Sequence, residues 1–76
     1  MPTIANKFGR VIRACREQRG LSQEALAELA GLSRGFLGEI ERGEAVPSVD
    51  SLQKLADALG EKLSYVVCKY EELPND

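Results

Sequence analysis

At 76 residues the chain is long enough for one small domain and too short for two. It contains no histidine, and its two cysteines, Cys15 and Cys68, form no C-x-x-C pair, which excludes zinc fingers and histidine-dependent catalysis. The net charge of −2 is unevenly spread: residues 1–42 carry seven basic and five acidic side chains, net +2, while residues 43–76 carry three and seven, net −4.

An apolar fraction of 43% is that of a folded chain, and no low-complexity segment or internal repeat interrupts it. No hydrophobic run approaches a membrane-spanning length and residues 1–20 lack a signal-peptide core, so a soluble protein of the reducing cytoplasm is expected. A chain of this size buries only about 60% of its unfolded surface, so self-association is a natural source of further stability.

Residues 1–5 read as a short arm. The first helix is predicted over about 6–19, because Phe8, Val11, Ile12 and Cys15 recur at i, i+3, i+4 and i+7. That places Cys15 in the core as a small apolar residue. Lys7, Arg10, Arg13, Arg16 and Arg19 recur every third residue, a spacing that drifts around a helix, so they cannot share one direction. Each is either part of a solvated face or a contact to an anionic backbone, and Arg13 is the one assigned to phosphate.

Ser22 is a good N-cap for a second helix over about 23–30, with Glu24 in its first turn and Leu26, Ala27 and Ala30 as its apolar face. Gly31 suits a left-handed stop, and Leu32 is apolar at the turn. Ser33 caps a third helix over about 34–42, whose inner face is Phe36, Leu37 and Ile40 and which ends at Gly43. Two short helices joined by a tight Gly-containing turn form the helix-turn-helix unit, whose second helix can enter a DNA major groove.

The loop 43–47 ends at Pro47, and Ser48 caps a fourth helix with Val49, Leu52, Leu55, Ala56 and Leu59 inward and Gly60 as its stop. In the tail, Leu63, Val66, Val67, Tyr70 and Leu73 follow helical spacing over about 62–73. The segment is also rich in β-formers, so a strand paired across a dimer is the alternative. Leu63 is expected to complete the core. Val66, Val67, Tyr70 and Leu73 exceed what one small core needs and read as a symmetric dimer seam, with Cys68 as a packing residue beside it. Pro74, Asn75 and Asp76 end the helix.

The string SQEALAELAGLS…IERG, with R-x-x-R-x-x-R-G-L before it and P-S-x-x-x-L-x-x-L-A-x-A-L-G after it, resembles the Cro/C1-type helix-turn-helix family over about residues 8–67. The resemblance implies an all-α, five-helix, lambda-repressor-like DNA-binding domain, with the helix-turn-helix at about 22–42. It implies that Arg16 pairs with Glu41, tying the first helix to the end of the third. It also implies that Gln23 holds a phosphate, in keeping with the free N–H groups and positive dipole end of a helix start. The fourth helix lies near the DNA backbone in the family, so Ser48 and Ser51 become phosphate candidates.

The outer side of the third helix carries Arg34, Gly35, Gly38, Glu39 and Arg42. Arg34, at the end that enters the groove first, is the strongest candidate for base readout, since an arginine can bond both acceptors of a guanine edge. Glu39 repels phosphate but can accept from a cytosine amine, and Arg42 is assigned to phosphate. Phe36 is either core or a contact to a thymine methyl. Gly35 and Gly38 stand where such readers usually carry polar side chains, pointing either to close backbone approach or to readout of DNA shape.

The expected function is a transcription regulator binding an inverted-repeat operator in double-stranded DNA as a homodimer. F-G-R near the start and S-R-x-F-x-x-E-I-E-R-G in the middle are similar to restriction–modification controller proteins, which activate and repress their own operon through cooperative dimers. That likeness implies two dimers on adjacent sites, with RNA polymerase as a further candidate partner. A phage-type repressor, or an antitoxin-like module whose acidic half binds a protein, shares most of the pattern. No enzyme activity, metal, cofactor, small-molecule ligand or membrane association is expected.

Overall fold

The structure is a computed structural model that describes residues 3–74. Five helices follow one another: α1 (Ile4–Gln18), α2 (Gln23–Ala30), α3 (Arg34–Glu41), α4 (Val49–Leu59) and α5 (Leu63–Glu72), with no strand among the described residues. The strand alternative for the tail is therefore set aside.

Local chemistry sets the boundaries. The hydroxyls of Ser22, Ser33 and Ser48 each accept from an N–H three residues on, at 3.0, 3.1 and 3.0 Å, satisfying donors that a helix start leaves open. Gly31 and Gly60 end α2 and α4 at φ 70° and 71°, where only glycine sits without strain. Behind Gly31, the Leu32 N–H donates to the Ala27 carbonyl at 2.9 Å, so the turn into α3 closes on α2 itself.

The first helix starts earlier than expected, at Ile4. Thr3 and Asn6 form a reciprocal capping box, and Ala5 is already buried. Of the expected arm, Met1 and Pro2 lie outside the described residues, as do Asn75 and Asp76 at the other end.

The core is built from Val11, Ile12 and Cys15 of α1, Leu26, Ala27 and Ala30 of α2, Leu37 and Ile40 of α3, Leu52, Leu55, Ala56 and Leu59 of α4, and Val66 of α5. Burial pushes the Cys15 thiol up from its ordinary range, so it stays protonated and unreactive at neutral pH.

Three expectations change. Val66 is 0% exposed, a residue of the protomer's own core, and is withdrawn from the dimer seam. α5 packs against both α1 and α4, and Val66 joins the core there. Val49 is 73% exposed although in phase with Leu52 and Ala56, because periodicity gives a direction and not a neighbour at the helix's first turn. Cys68 is exposed, its sulfur 3.7 Å from a Glu72 carboxylate oxygen, and packs against no core.

The remaining seam residues divide. Val67 is exposed, while Tyr70 and Leu73 are half-buried against the core. The Tyr70 ring stacks on Phe8 at 4.3 Å between centroids, and the Lys7 ammonium lies 4.4 Å from the same ring. Lys7 is accordingly buried, a member of the basic series held inside the protomer rather than on a solvated face.

Candidate nucleic-acid interface

The helix-turn-helix is held by a polar knot. The Arg16 Nε–H donates to Glu41 Oε2 at 2.7 Å, its Nη2 to Oε1 at 3.0 Å, and its Nη1 to the Leu21 carbonyl at 2.8 Å. The Gln23 amide nitrogen donates to Glu41 Oε1 at 2.9 Å. One nearly buried carboxylate, 2% exposed, thus joins α1, the start of α2 and the end of α3. Hydrogen bonding to Glu41 pushes the Arg16 guanidinium above its ordinary range. Gln23, to which the resemblance assigns a phosphate, has its NH2 directed at this knot.

A second device brings α1 against α3. An added Cβ at Gly9 would fall on the Ile40 carbonyl oxygen and lie 2.9 Å from the Glu41 carbonyl oxygen, so only glycine permits the approach. Gly9 is absent from the candidates drawn from sequence; a lone glycine inside a periodic helix is the signal that marks it.

With Leu37 and Ile40 fully buried and Phe36 half-buried against the core, α3 turns Arg34, Gly35, Glu39 and Arg42 outward. Arg34 is exposed in the first turn and forms no ion pair among the described residues. Gly35 faces open space, and a Cβ there would meet nothing within 4 Å. Gly38 differs from its expected exposure: it is buried, because the Arg42 guanidinium lies over it with Nη1 2.9 Å from where a Cβ would stand. Arg42 in turn bonds the Glu44 carboxylate through Nε and Nη2, both at 3.1 Å.

The other phosphate candidates are placed as follows. Arg13 is exposed and pairs with Glu17 at 3.3 Å along α1. Ser48 is the cap of α4, and its hydroxyl also lies 3.1 Å from that of the half-buried Ser51. Arg19, at the far end of α1, bonds Glu61 at 3.1 Å.

A three-residue turn that leaves α2 at the left-handed Gly31 and enters α3 at its cap Ser33, with an outward-facing α3, defines a helix-turn-helix DNA-binding transcription regulator. The helix-turn-helix family profile matches residues 12–66, and the chain belongs to that family, in its Cro/C1-type branch. It is 47% identical over 55 residues to the uncharacterized HTH-type transcriptional regulator YazB of Bacillus subtilis, covering 72% of this chain and 80% of that one. It is 46% identical over 59 residues to the immunity repressor protein of Bacillus phage phi105, covering 78% of this chain but only 41% of the repressor. Among solved structures, the restriction-modification controller protein C.AhdI from Aeromonas hydrophila superimposes with a TM-score of 0.79 at 42% identity, over 82% of this chain and 94% of that one. A point mutant of the restriction-modification controller protein C.Esp1396I superimposes over the whole of both chains with a TM-score of 0.88 at 28% identity. No helix among the described residues is long and apolar enough to cross a membrane.

Proposed function

We infer that the protein is a homodimeric regulator of the restriction–modification controller type, binding an inverted-repeat operator in the cytoplasm. The observation that carries this reading is the exposed Arg34 at the leading turn of an α3 whose rear is locked to α1 and α2. A helix locked at its rear, with a guanidinium at its tip that forms no ion pair among the described residues, suits bidentate bonding to a guanine edge. Two such helices across a two-fold axis, about 34 Å apart, match successive major grooves on one side of a duplex. The 42% identity to C.AhdI across a superposition with a TM-score of 0.79 supports the controller reading. Gln23, Arg13, Arg42, Ser48 and Ser51 are the proposed phosphate contacts, and two dimers on adjacent sites together with RNA polymerase complete the proposed assembly.

Selection from random duplex DNA at near-physiological salt tests the reading. Enrichment of an inverted repeat with half-sites about one turn apart is the expected result; a folded dimer that enriches nothing would overturn it. On the selected operator, Arg34→Ala should cost about 1–3 kcal/mol and relax the preference at one base pair, measured by binding to single-position variants. Unchanged specificity would remove Arg34 from base readout.

The proposed dimer seam is Val67 with the exposed edges of Tyr70 and Leu73 on α5. Val67→Asp is expected to leave the protomer folded, because the side chain is already at the surface, and to shift sedimentation towards monomer with loss of operator binding. A variant that still sediments as a dimer takes α5 out of the interface.

A further inference from the structure

Arg42, Gly38 and Glu44 form a unit that base readout through Arg34 does not explain. Arg42 caps the C-terminal end of α3, and helical side chains lean back towards the N-terminus. Its guanidinium therefore reaches one turn back and covers Gly38, where the missing side chain leaves it a seat. The outer side of α3 thus presents two guanidinium groups, Arg34 at its tip and Arg42 over its middle, rather than one arginine and a bare glycine. Unlike Arg34, Arg42 is already bonded: both Glu44 oxygens accept from it, Oε2 from Nε and Oε1 from Nη2, at 3.1 Å each. Two parallel N–H···O bonds are the fork geometry in which an arginine also takes a guanine edge or a phosphate. Both side chains are more than half exposed, 58% and 57%, so a duplex laid along α3 can reach the pair.

We propose that the Glu44 carboxylate stands in for the DNA acceptor of Arg42, and that binding DNA exchanges one for the other. The proposal rests on α3 being the DNA-facing helix. Hydrogen bonding within the pair pushes Arg42 up and Glu44 down from their ordinary ranges, so both remain charged at neutral pH. Exposed ion pairs are weak, so the stand-in opposes binding only modestly. Its consequence is selectivity: a contact that presents a paired acceptor replaces Glu44, and one that offers a single poorly aligned oxygen does not. The acceptor on the DNA is either a guanine edge or a phosphate, which share this paired-acceptor chemistry.

A double-mutant cycle on the operator selected by the wild-type protein provides the test, with thermal melts to verify folding. Glu44→Gln is expected to bind about two- to fivefold tighter than wild type. In an Arg42→Ala background the same substitution should give a smaller gain, because no guanidinium is then left for Glu44 to hold. Equal gains in both backgrounds would overturn the proposal, since Glu44 would then act only as a repelling charge. Weaker binding by Glu44→Gln would also overturn it, since Glu44 would be holding Arg42 in place on the DNA. Selection repeated with Arg42→Ala identifies the acceptor: relaxed preference at one position upholds the exchange with a guanine edge, and a uniform loss across sequences upholds it with a phosphate. Failure of the wild-type protein to select any duplex overturns the DNA-binding reading and this proposal together; operator binding with an additive cycle overturns this proposal alone.

Discussion

Arg16→Ala is expected to destabilise the protein by about 3–5 kcal/mol, the range seen when one partner of a buried ion pair is removed. The cost comes from what remains. Glu41 is 2% exposed and accepts three hydrogen bonds, two of them from Arg16. Without Arg16 the carboxylate keeps only the Gln23 amide, and the Leu21 carbonyl loses its donor as well. Glu41 is also the last residue of α3, at the negative end of the helix dipole, where an unpaired anion is unfavourable. In a domain of this size each kcal/mol moves the midpoint by about 4–8 °C, so thermal melts should show a fall of more than about 12 °C. Replacing both partners, Arg16→Met with Glu41→Leu, should recover much of the loss, because no buried charge is then left alone. A single substitution costing less than about 1 kcal/mol would show that water reaches Glu41 and that the knot is not structural.

Gly9→Ala is the second large effect, and its size comes from position rather than chemistry. In most helix interiors alanine is favoured over glycine by about 0.5–1 kcal/mol. At Gly9 the added methyl meets the carbonyl oxygens of Ile40 and Glu41, which belong to the backbone and cannot rotate away. Ile40 also accepts from the Gly43 N–H at 3.1 Å, so any retreat disturbs the end of α3. The helices must separate, and the separation lengthens the bonds of Arg16 to Glu41, which bridge the same two elements. The net cost should lie at the upper end of about 1–3 kcal/mol, the usual range for overpacking. Gly35→Ala is the matched control: the same change, in a helix, with nothing within 4 Å, should stabilise by about 0.5–1 kcal/mol. Chemical denaturation of both variants checks the pair. Effects of the same sign would show that α1 and α3 are not in close contact at Gly9.

Much of the architecture was legible without coordinates, for identifiable reasons. Serine at 22, 33 and 48 and glycine at 31 and 60 are local signals, each acting on backbone groups within a few residues, so the limits of α2 and α4 follow from them. Spacing likewise separates Leu37 and Ile40 from Arg34 and Glu39. The capping box at Thr3 is equally local but hidden, because asparagine takes the place of the usual glutamate or glutamine at its third helical position.

For α2, α3 and α4 the amino-acid sequence by itself determined the helix, where it stops and which side is apolar, because those properties depend on neighbours three or four residues away; that the tail is a helix and not a strand was settled by its packing. Depth and contact were decided only by the tertiary structure. Val66 and Val67 are adjacent in the same helix, yet one is sealed between α1 and α4 and the other meets solvent. Val49 has the phase of a core residue and is 73% exposed. Gly38 is exposed by its helical phase and buried by a side chain four residues on. Lys7 belongs to a basic series and is taken from it by Tyr70, 63 positions later in the chain, through an attraction that exists only once α5 has folded back onto α1.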